Sequence, residues 1–330
     1  MKHWTEPHGL FIVNIPTNWQ YRNVSFTMGV EEPPYIFGKY ESCPDCFQLS
    51  CYPLAEKGVN HNFPIQKSNS IIQWFMIKKE NTEFKALLFY AQVDDLLCMA
   101  KYIYPSKWSD HELKKEFVIV KKVLDSFCVI PANDRELAIN LNKYDNFHAS
   151  LIASCDLLNN AYESDSYIEL VAILANQIDA FLRLSIVLKM QLVNETNNIE
   201  VEYLFQQEDG KILNERKIYK KALDLELIDT DVFKALNSLY DIRNRVIHRY
   251  IISYLKTREI IDTAYQYLIL KEKIRLVLAS CEKEQFGTGF GIYGIGYSED
   301  YRICDADYKR LHSMANDKHL VEKLRRKIDD

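Results

Sequence analysis

The hydrophobic pattern of this chain changes its period at Pro131-Ala132-Asn133-Asp134, and that change dictates a fold in two parts. Before it, strand-like alternation dominates and gives way only to one late helix. After it, apolar residues recur at helical spacing. Alternation buries one face of a strand, whereas a 3.6-residue period buries one stripe of a helix. Leu10, Ile12 and Val13 stand before Pro16-Thr17-Asn18-Trp19 as a strand followed by a turn. Phe47 to Tyr52 alternates as a half-buried strand, and Ile71 to Ile77, Phe84 to Val93 and Leu96 to Tyr104 add further strands. Ser109-Asp110-His111-Glu112 has the form of a capping box and opens a helix through Phe117, Val120, Val123, Leu124 and Phe127. Residues 1–130 are therefore expected to form an α/β sandwich-like domain, an antiparallel sheet closed by one helix.

The second part is expected to be an all-helical bundle over residues 135–285, which makes the fold class α+β. One helix runs through Leu151, Ile152, Cys155, Leu157 and Leu158. Ser166-Tyr167-Ile168-Glu169 has the form of a second capping box. The long helix after it carries Leu170, Ile173, Leu174, Ile178, Phe181 and Leu182 and ends within Asn194 to Asn198. A short segment, Ile212 to Leu227, leads to the N-cap cluster Asp229-Thr230-Asp231, and a last long helix spans Arg258 to Cys281. About four main helices result. Residues 286–330 read as a glycine-rich loop followed by a short basic amphipathic helix through Leu320, Leu324, Arg325, Arg326 and Lys327.

The chemistry concentrates in Leu239-Tyr240-Asp241-Ile242-Arg243-Asn244-Arg245-Val246-Ile247-His248-Arg249-Tyr250. Val232, Leu236, Leu239, Tyr240 and Ile242 lead in with helical periodicity, and Val246, Ile247, Tyr250 and Ile251 continue it, so the segment is expected inside a helix. Asn244 and His248 are four apart and share a face. Arg243 lies roughly 140° round the helix from His248, so it needs its length, a kink or a partner chain to reach the same phosphate. A guanidinium that holds a phosphate beside an imidazole that moves a proton can cleave a phosphodiester without a metal.

The string Arg243-Asn244-x-x-x-His248, on the penultimate long helix of a helical segment, resembles the signature of the HEPN superfamily. The resemblance covers about residues 140–285. It implies a small helical bundle of the kind found in metal-independent RNases of toxin–antitoxin, antiphage and RNA-processing systems. It also implies that Arg243 and His248 are catalytic, that Asn244 is their polar neighbour, and that two motifs meet across a homodimer interface. Many members of that family are instead non-catalytic binding or dimerisation modules. The strand-then-helix order of the N-terminal part is similar to the small α/β sandwiches of the PsbP-like type, with no motif to anchor it.

The expected activity is thus endoribonucleolytic. His248 serves as general base or acid at the ribose 2′-OH or the leaving 5′-oxygen. Arg243 stabilises charge on the phosphorane, and Asn244 orients His248 or the phosphate. Arg245 and Arg249 are candidate substrate-binding cations, part of a basic series with Lys211, Arg216, Lys217, Lys220, Lys221, Lys256 and Arg258. RNA is the expected partner, together with a second copy of the chain and a regulatory protein. The N-terminal domain would regulate the nuclease or sense a trigger. No cofactor and no metal are expected. The alternative is a non-enzymatic dimerisation or partner-binding module in which Arg243 and His248 are interface polar groups.

A formal net charge of −5 and a pI near 6.0 argue against a protein that coats DNA, but they leave room for a local basic groove. A hydrophobic content of 48% supports real cores. The first residues lack the apolar run of a secretory signal, and no uninterrupted apolar window of about 18 residues argues for a membrane span. Eight cysteines in such a chain read as reduced thiols, so the expected location is cytoplasmic.

Other motifs carry less. Gly289-x-Gly291-x-x-Gly294 has the letters of a dinucleotide fingerprint but follows a helix rather than a strand, and no parallel βαβ unit surrounds it. Cys43-Pro44-Asp45-Cys46, with Cys51 and His61 near in sequence, lacks a second ligand pair for zinc. A weaker third reading makes that pair the active part of the N-terminal domain. His148 is a candidate to approach the site from a neighbouring helix, or a structural histidine. Asp94 and Asp95 would point to opposite faces of a strand. No nucleophile elbow, Walker loop or HExxH motif is present.

Overall fold

A computed structural model describes residues 1–22, 32–40, 44–54, 64–68, 70–80, 83–205, 213–298, 300–319 and 321–328. Cys43, His61, Lys211, Ile212 and Leu320 lie outside them. The fold is α+β, with an N-terminal sheet region and a helical C-terminal part. The chain divides into two compact units. The first is Met1–Asn142, Asp305–Asp317 and Arg326–Asp330; the second is Lys143–Cys304 and Lys318–Arg325.

In the first unit the strands are β1 (Lys2–Thr5), β2 (Phe11–Ile15), β3 (Trp19–Tyr21), β4 (Tyr35–Lys39), β5 (Cys46–Pro53), β6 (Ile65–Gln66), β7 (Phe75–Glu80), β8 (Phe84–Val93) and β9 (Leu96–Pro105), followed by helix α1 (Asp110–Asp125) and β10 (Cys128–Val129). One sheet has the order β3-β4-β5-β9-β8-β6, with β7 also paired to β8. A smaller sheet has the order β1-β2-β10. All pairs are antiparallel except β6 with β8, a parallel pair that departs from the purely antiparallel expectation.

The β8–β9 hairpin explains Asp94 and Asp95. Val93 pairs with Leu96, so the two aspartates are its two-residue turn rather than strand residues, and Asp94 takes φ 49°. Asp is among the few residues that tolerate that left-handed region. The strand expected from Ile71 begins only at Phe75. Ile72 is buried, but residues 71–74 are not paired.

The core of this unit is largely aromatic. Trp19, Tyr35, Phe37 and Phe47 are almost fully buried, and Trp4 packs edge-on against Phe37 at 4.9 Å between centroids. Helix α1 buries Val120, Val123 and Leu124 and packs against β2. Each such side chain contributes about 1.5–3 kcal/mol on leaving water. Its capping box is formed, with Glu112 N–H donating to Ser109 Oγ at 3.3 Å and Ser109 N–H to Glu112 Oε2 at 2.7 Å.

A 3-10 turn at Ala132–Asp134 marks the change of period. Helices α2 (Arg135–Glu163), α3 (Tyr167–Asn194), α4 (Glu215–Asp224), α5 (Thr230–Arg249) and α6 (Thr257–Gln285) follow, and the unit boundary falls within α2. Helix α3 is the core of the second unit and packs on α4, α5 and, most extensively, α6. Leu174, Ile178, Leu182, Ile186 and Val187 are buried on it. It is long and apolar enough to cross a membrane by composition, yet 67% of that window is buried inside the protein, as a core helix requires.

Ser166 does not form the expected capping box, because its side chain makes no cap bond. Its own N–H donates to Ala161 O at 2.8 Å instead, closing the turn after α2. The α3 helix stops at Glu195, left-handed at φ 49°. Asp229 caps α5 by accepting Val232 N–H at 2.7 Å. The apolar pattern that continues past His248 does not extend the helix, which ends at Arg249, and Ile251 stands 93% exposed.

Gln285, fully buried at the end of α6, ties down the glycine-rich loop. Its amide nitrogen donates to Gln191 Oε1 at 3.0 Å, and its oxygen accepts Tyr293 N–H at 3.0 Å. Gly291 is required here. Its φ is +79°, and a Cβ would lie 2.7 Å from the Gln285 amide. The last helix, α7, is Asp305–Lys318, upstream of the one expected through Leu320 to Lys327. Residues 322–324 form a 3-10 turn, and Arg325 to Lys327 are not helical. Helix α7 belongs mostly to the first unit, where Asp317 pairs with the buried Lys2 at 2.6 Å.

Candidate functional site

The motif occupies the last two turns of α5. Apolar residues Leu236, Leu239 and Val246 face the bundle and set the rotation of the helix, so the polar residues between them divide between two environments. Asn244, Arg245, His248 and Arg249 line an open groove together with Ser238, Tyr240, Asp241 and Ile242. Arg245, His248 and Arg249 are exposed, and Asn244 is partly covered. Their four-residue offsets place Asn244 beside His248 and Arg245 beside Arg249. The imidazole also lies in the last helical turn.

Arg243 is not in that groove. Its side chain is 15% exposed, and Nη2 makes an ion pair with Glu215 Oε1 of α4. Glu215 also accepts the Tyr219 hydroxyl at 3.1 Å through its other oxygen. Nearby on α3, Asp179 is held by Arg183 Nε at 2.6 Å, while Arg183 donates to Tyr203 O at 3.1 Å and Leu213 O at 2.7 Å. Among the described residues, two buried polar atoms of this cluster lack a hydrogen-bond partner, Arg243 Nε and Asp179 Oδ1, while the Tyr267 hydroxyl has the Arg243 guanidinium as its hydrogen-bonding neighbour.

Charge is unevenly balanced there. Burial holds the Asp179 carboxyl above its ordinary value, against the pull of Arg183 and Arg243. Burial also pushes the Tyr267 hydroxyl up, opposed by the Arg243 cation. For Arg243 itself, burial works to lower the pKa, but Glu215 outweighs it and the net direction is upward, so the guanidinium is permanently charged.

Tyr240 joins the two environments. Its ring carries Arg243 on one guanidinium contact, 5.0 Å from centroid to Cζ, and Arg216 of α4 on another at 4.7 Å. Arg216 also reaches Asp241, a groove residue, at 2.5 Å. Both partners of that pair are about half exposed or more, which makes it weak and exchangeable. Lys217 is exposed, and Lys220 pairs with Asp224 at 2.7 Å within the helix. Lys256 and Arg258 are exposed at the start of α6.

The remaining candidates fall elsewhere. His148 on α2 is partly covered, stands edge-on to Tyr144 at 6.2 Å, and does not line the groove. Cys46 begins β5 and its thiol is raised by burial. Cys51 and Cys98, buried and opposite each other on β5 and β9, share a thiol–thiol hydrogen bond at 3.6 Å and form no disulfide. Among the described residues no group of three His, Cys, Asp or Glu side chains is arranged to hold a metal ion. Glu215, Tyr219, Asp179 and Tyr267 were not singled out from the sequence. They come from three other helices, and a pairing across 28 residues leaves no local signal.

No protein-family model matches the chain, and no curated protein matches it either. A crystal structure from Bacteroides thetaiotaomicron VPI-5482, solved at 1.50 Å, is similar over 59% of this chain and 78% of its own, with 11% identity and a TM-score of 0.27. A likeness at that level supports no conclusion about fold or function.

Proposed function

We propose that the helical unit is a metal-independent endoribonuclease of HEPN type whose site is the groove at the end of α5. The observation that carries this reading is the exposed imidazole of His248 beside Asn244, with Arg245 and Arg249 along the same groove. Two cations there hold consecutive phosphates of a single strand. His248 takes the proton of a ribose 2′-OH, whose oxygen attacks the adjacent phosphorus. The bond from phosphorus to the 5′-oxygen breaks, and that oxygen leaves with a proton. The products are a 2′,3′-cyclic phosphate and a 5′-hydroxyl. Asn244 orients the imidazole or a phosphate oxygen. Arg243 stabilises charge on the phosphorane once its guanidinium has moved from Glu215.

Two copies of the chain would bring two such grooves together, one supplying the base and the other the acid. The N-terminal unit would restrain the nuclease, in the manner of a toxin or antiphage effector, and an RNA substrate would put the working protein in the cytoplasm. The test is cleavage of a mixed RNA pool in the presence of a chelator by the wild-type chain, Arg243→Ala and His248→Ala, each shown to be folded. Cleavage by the wild type alone supports the assignment. Cleavage that survives His248→Ala contradicts it.

One observation favours a second reading, a non-catalytic dimerisation or partner-binding module: Arg243 is engaged inside the bundle rather than at the groove. A stable complex that is indifferent to His248→Ala, from a chain that cleaves nothing, would support that reading.

A further inference from the structure

We infer that Glu215 is the positioning residue for Arg243, a latch that keeps the guanidinium out of the groove until the pair is broken. The inference rests on the ribonuclease reading of the groove and names its control.

The geometry is specific to this role. The ion pair joins α4 to α5 at the residue just before the groove residue Asn244. Arg243 stacks over the ring of Tyr240, which itself lines the groove, so the ring forms a continuous surface between the latched and groove positions. The half-exposed Arg216 also lies against that ring, so Tyr240 already carries two guanidinium groups. A cation over an aromatic face keeps part of its stabilisation as it slides.

The cluster is also arranged to survive the departure of Arg243. Glu215 keeps the Tyr219 hydroxyl, and Asp179 keeps Arg183. Arg183 holds its own two carbonyls without help from Arg243. Arg243 Nε meanwhile has no partner in the latched position. A phosphate or phosphorane offers a guanidinium a bidentate partner. Removing the Glu215 charge therefore shifts Arg243 toward the groove while Glu215, Asp179 and Arg183 keep these bonds; the Tyr267 hydroxyl alone gives up its Arg243 neighbour.

The experiment uses the full chain and an RNA carrying 2′-O-methyl groups throughout, which cannot be cleaved by 2′-OH attack. Binding is followed by fluorescence anisotropy across a range of salt concentrations. Each cation newly engaged with a single-strand phosphate steepens the slope of log affinity against log salt by about 0.7. The expected result is a slope about 0.7 steeper for Glu215→Gln than for the wild type. It should return to the wild-type value in Glu215→Gln/Arg243→Gln, and Arg243→Gln alone should leave it unchanged. Cleavage of ordinary RNA should rise about tenfold or more in Glu215→Gln, the factor that releasing about 1.4 kcal/mol of ion pairing gives.

Equal slopes for wild type and Glu215→Gln overturn the latch while leaving the nuclease reading intact. So does a slope that falls by about 0.7 in Arg243→Gln alone, because it shows Arg243 already on the phosphate. That single variant keeps the test valid if Glu215→Gln fails to fold. RNA binding by none of the proteins overturns the ribonuclease reading and the latch together.

Discussion

Replacing Arg243 with methionine separates the structural role of this side chain from its catalytic one. Methionine keeps most of the aliphatic stem and loses the charge. In the folded protein it leaves the Glu215 carboxylate, 16% exposed, with the Tyr219 hydroxyl alone and with Asp179 as a charged neighbour. Removing one partner of a fully buried pair costs roughly 3–5 kcal/mol. This pair is partly solvated and Glu215 retains a hydrogen bond, so the expected loss is about 2–3 kcal/mol. For a helical unit of this size, that lowers the melting temperature by about 4–12 °C. The assay is thermal unfolding of the full chain followed by far-ultraviolet circular dichroism, with His248→Ala in parallel. His248 is exposed, so its removal should shift stability by no more than about 0.5 kcal/mol. A melting temperature for Arg243→Met within about 1 °C of the wild type would refute the reasoning, because the pair would then contribute nothing to the bundle.

Other consequences are equally open to measurement. Asp179 is held above its ordinary value of 3.8 by burial, so the folded state binds its proton more readily than the unfolded chain does. The wild type should therefore gain stability relative to Asp179→Asn as the pH falls through the raised value toward 3.8, and a difference that stays flat with pH would refute that assignment. Gln285→Leu leaves the partly buried Tyr293 N–H without its acceptor and should cost about 1–3 kcal/mol. Hydrogen exchange should then rise across residues 287–296, and unchanged protection would show that Gln285 does not anchor the loop. Asp229→Ala removes the cap of α5 and should cost about 1 kcal/mol, read by urea unfolding, whereas Ser166→Ala, whose hydroxyl makes no cap bond, should cost less than half of that.

Local patterns proved readable wherever one segment decides its own state. The alternation of Phe84 to Val93 specified a strand because each second residue faces the same core, and Ser109 with Glu112 specified a helix start because both halves of the box lie within four residues. Strands β1, β3 and β4 were not expected. They are three to five residues long, and pairing rather than periodicity defines them. Ser166-x-x-Glu169 has the letters of a capping box, but the turn after α2 claims the Ser166 backbone and leaves its hydroxyl unused. At the site, the shared face of Asn244 and His248 followed from their spacing alone, as did the angular offset of Arg243. Where Arg243 goes instead did not follow, because its partner lies on another helix.

The product ends test the central claim most directly. A short RNA of one sequence is incubated with the wild-type chain in chelator, and the termini of the fragments are determined by mass spectrometry. The account predicts 2′,3′-cyclic phosphate and 5′-hydroxyl ends, no cut at a nucleotide whose 2′-OH has been removed, and no fragments from His248→Ala. Fragments with 5′-phosphate ends, or cutting that continues at the 2′-deoxy position, would contradict attack by the 2′-OH and with it the role given to His248.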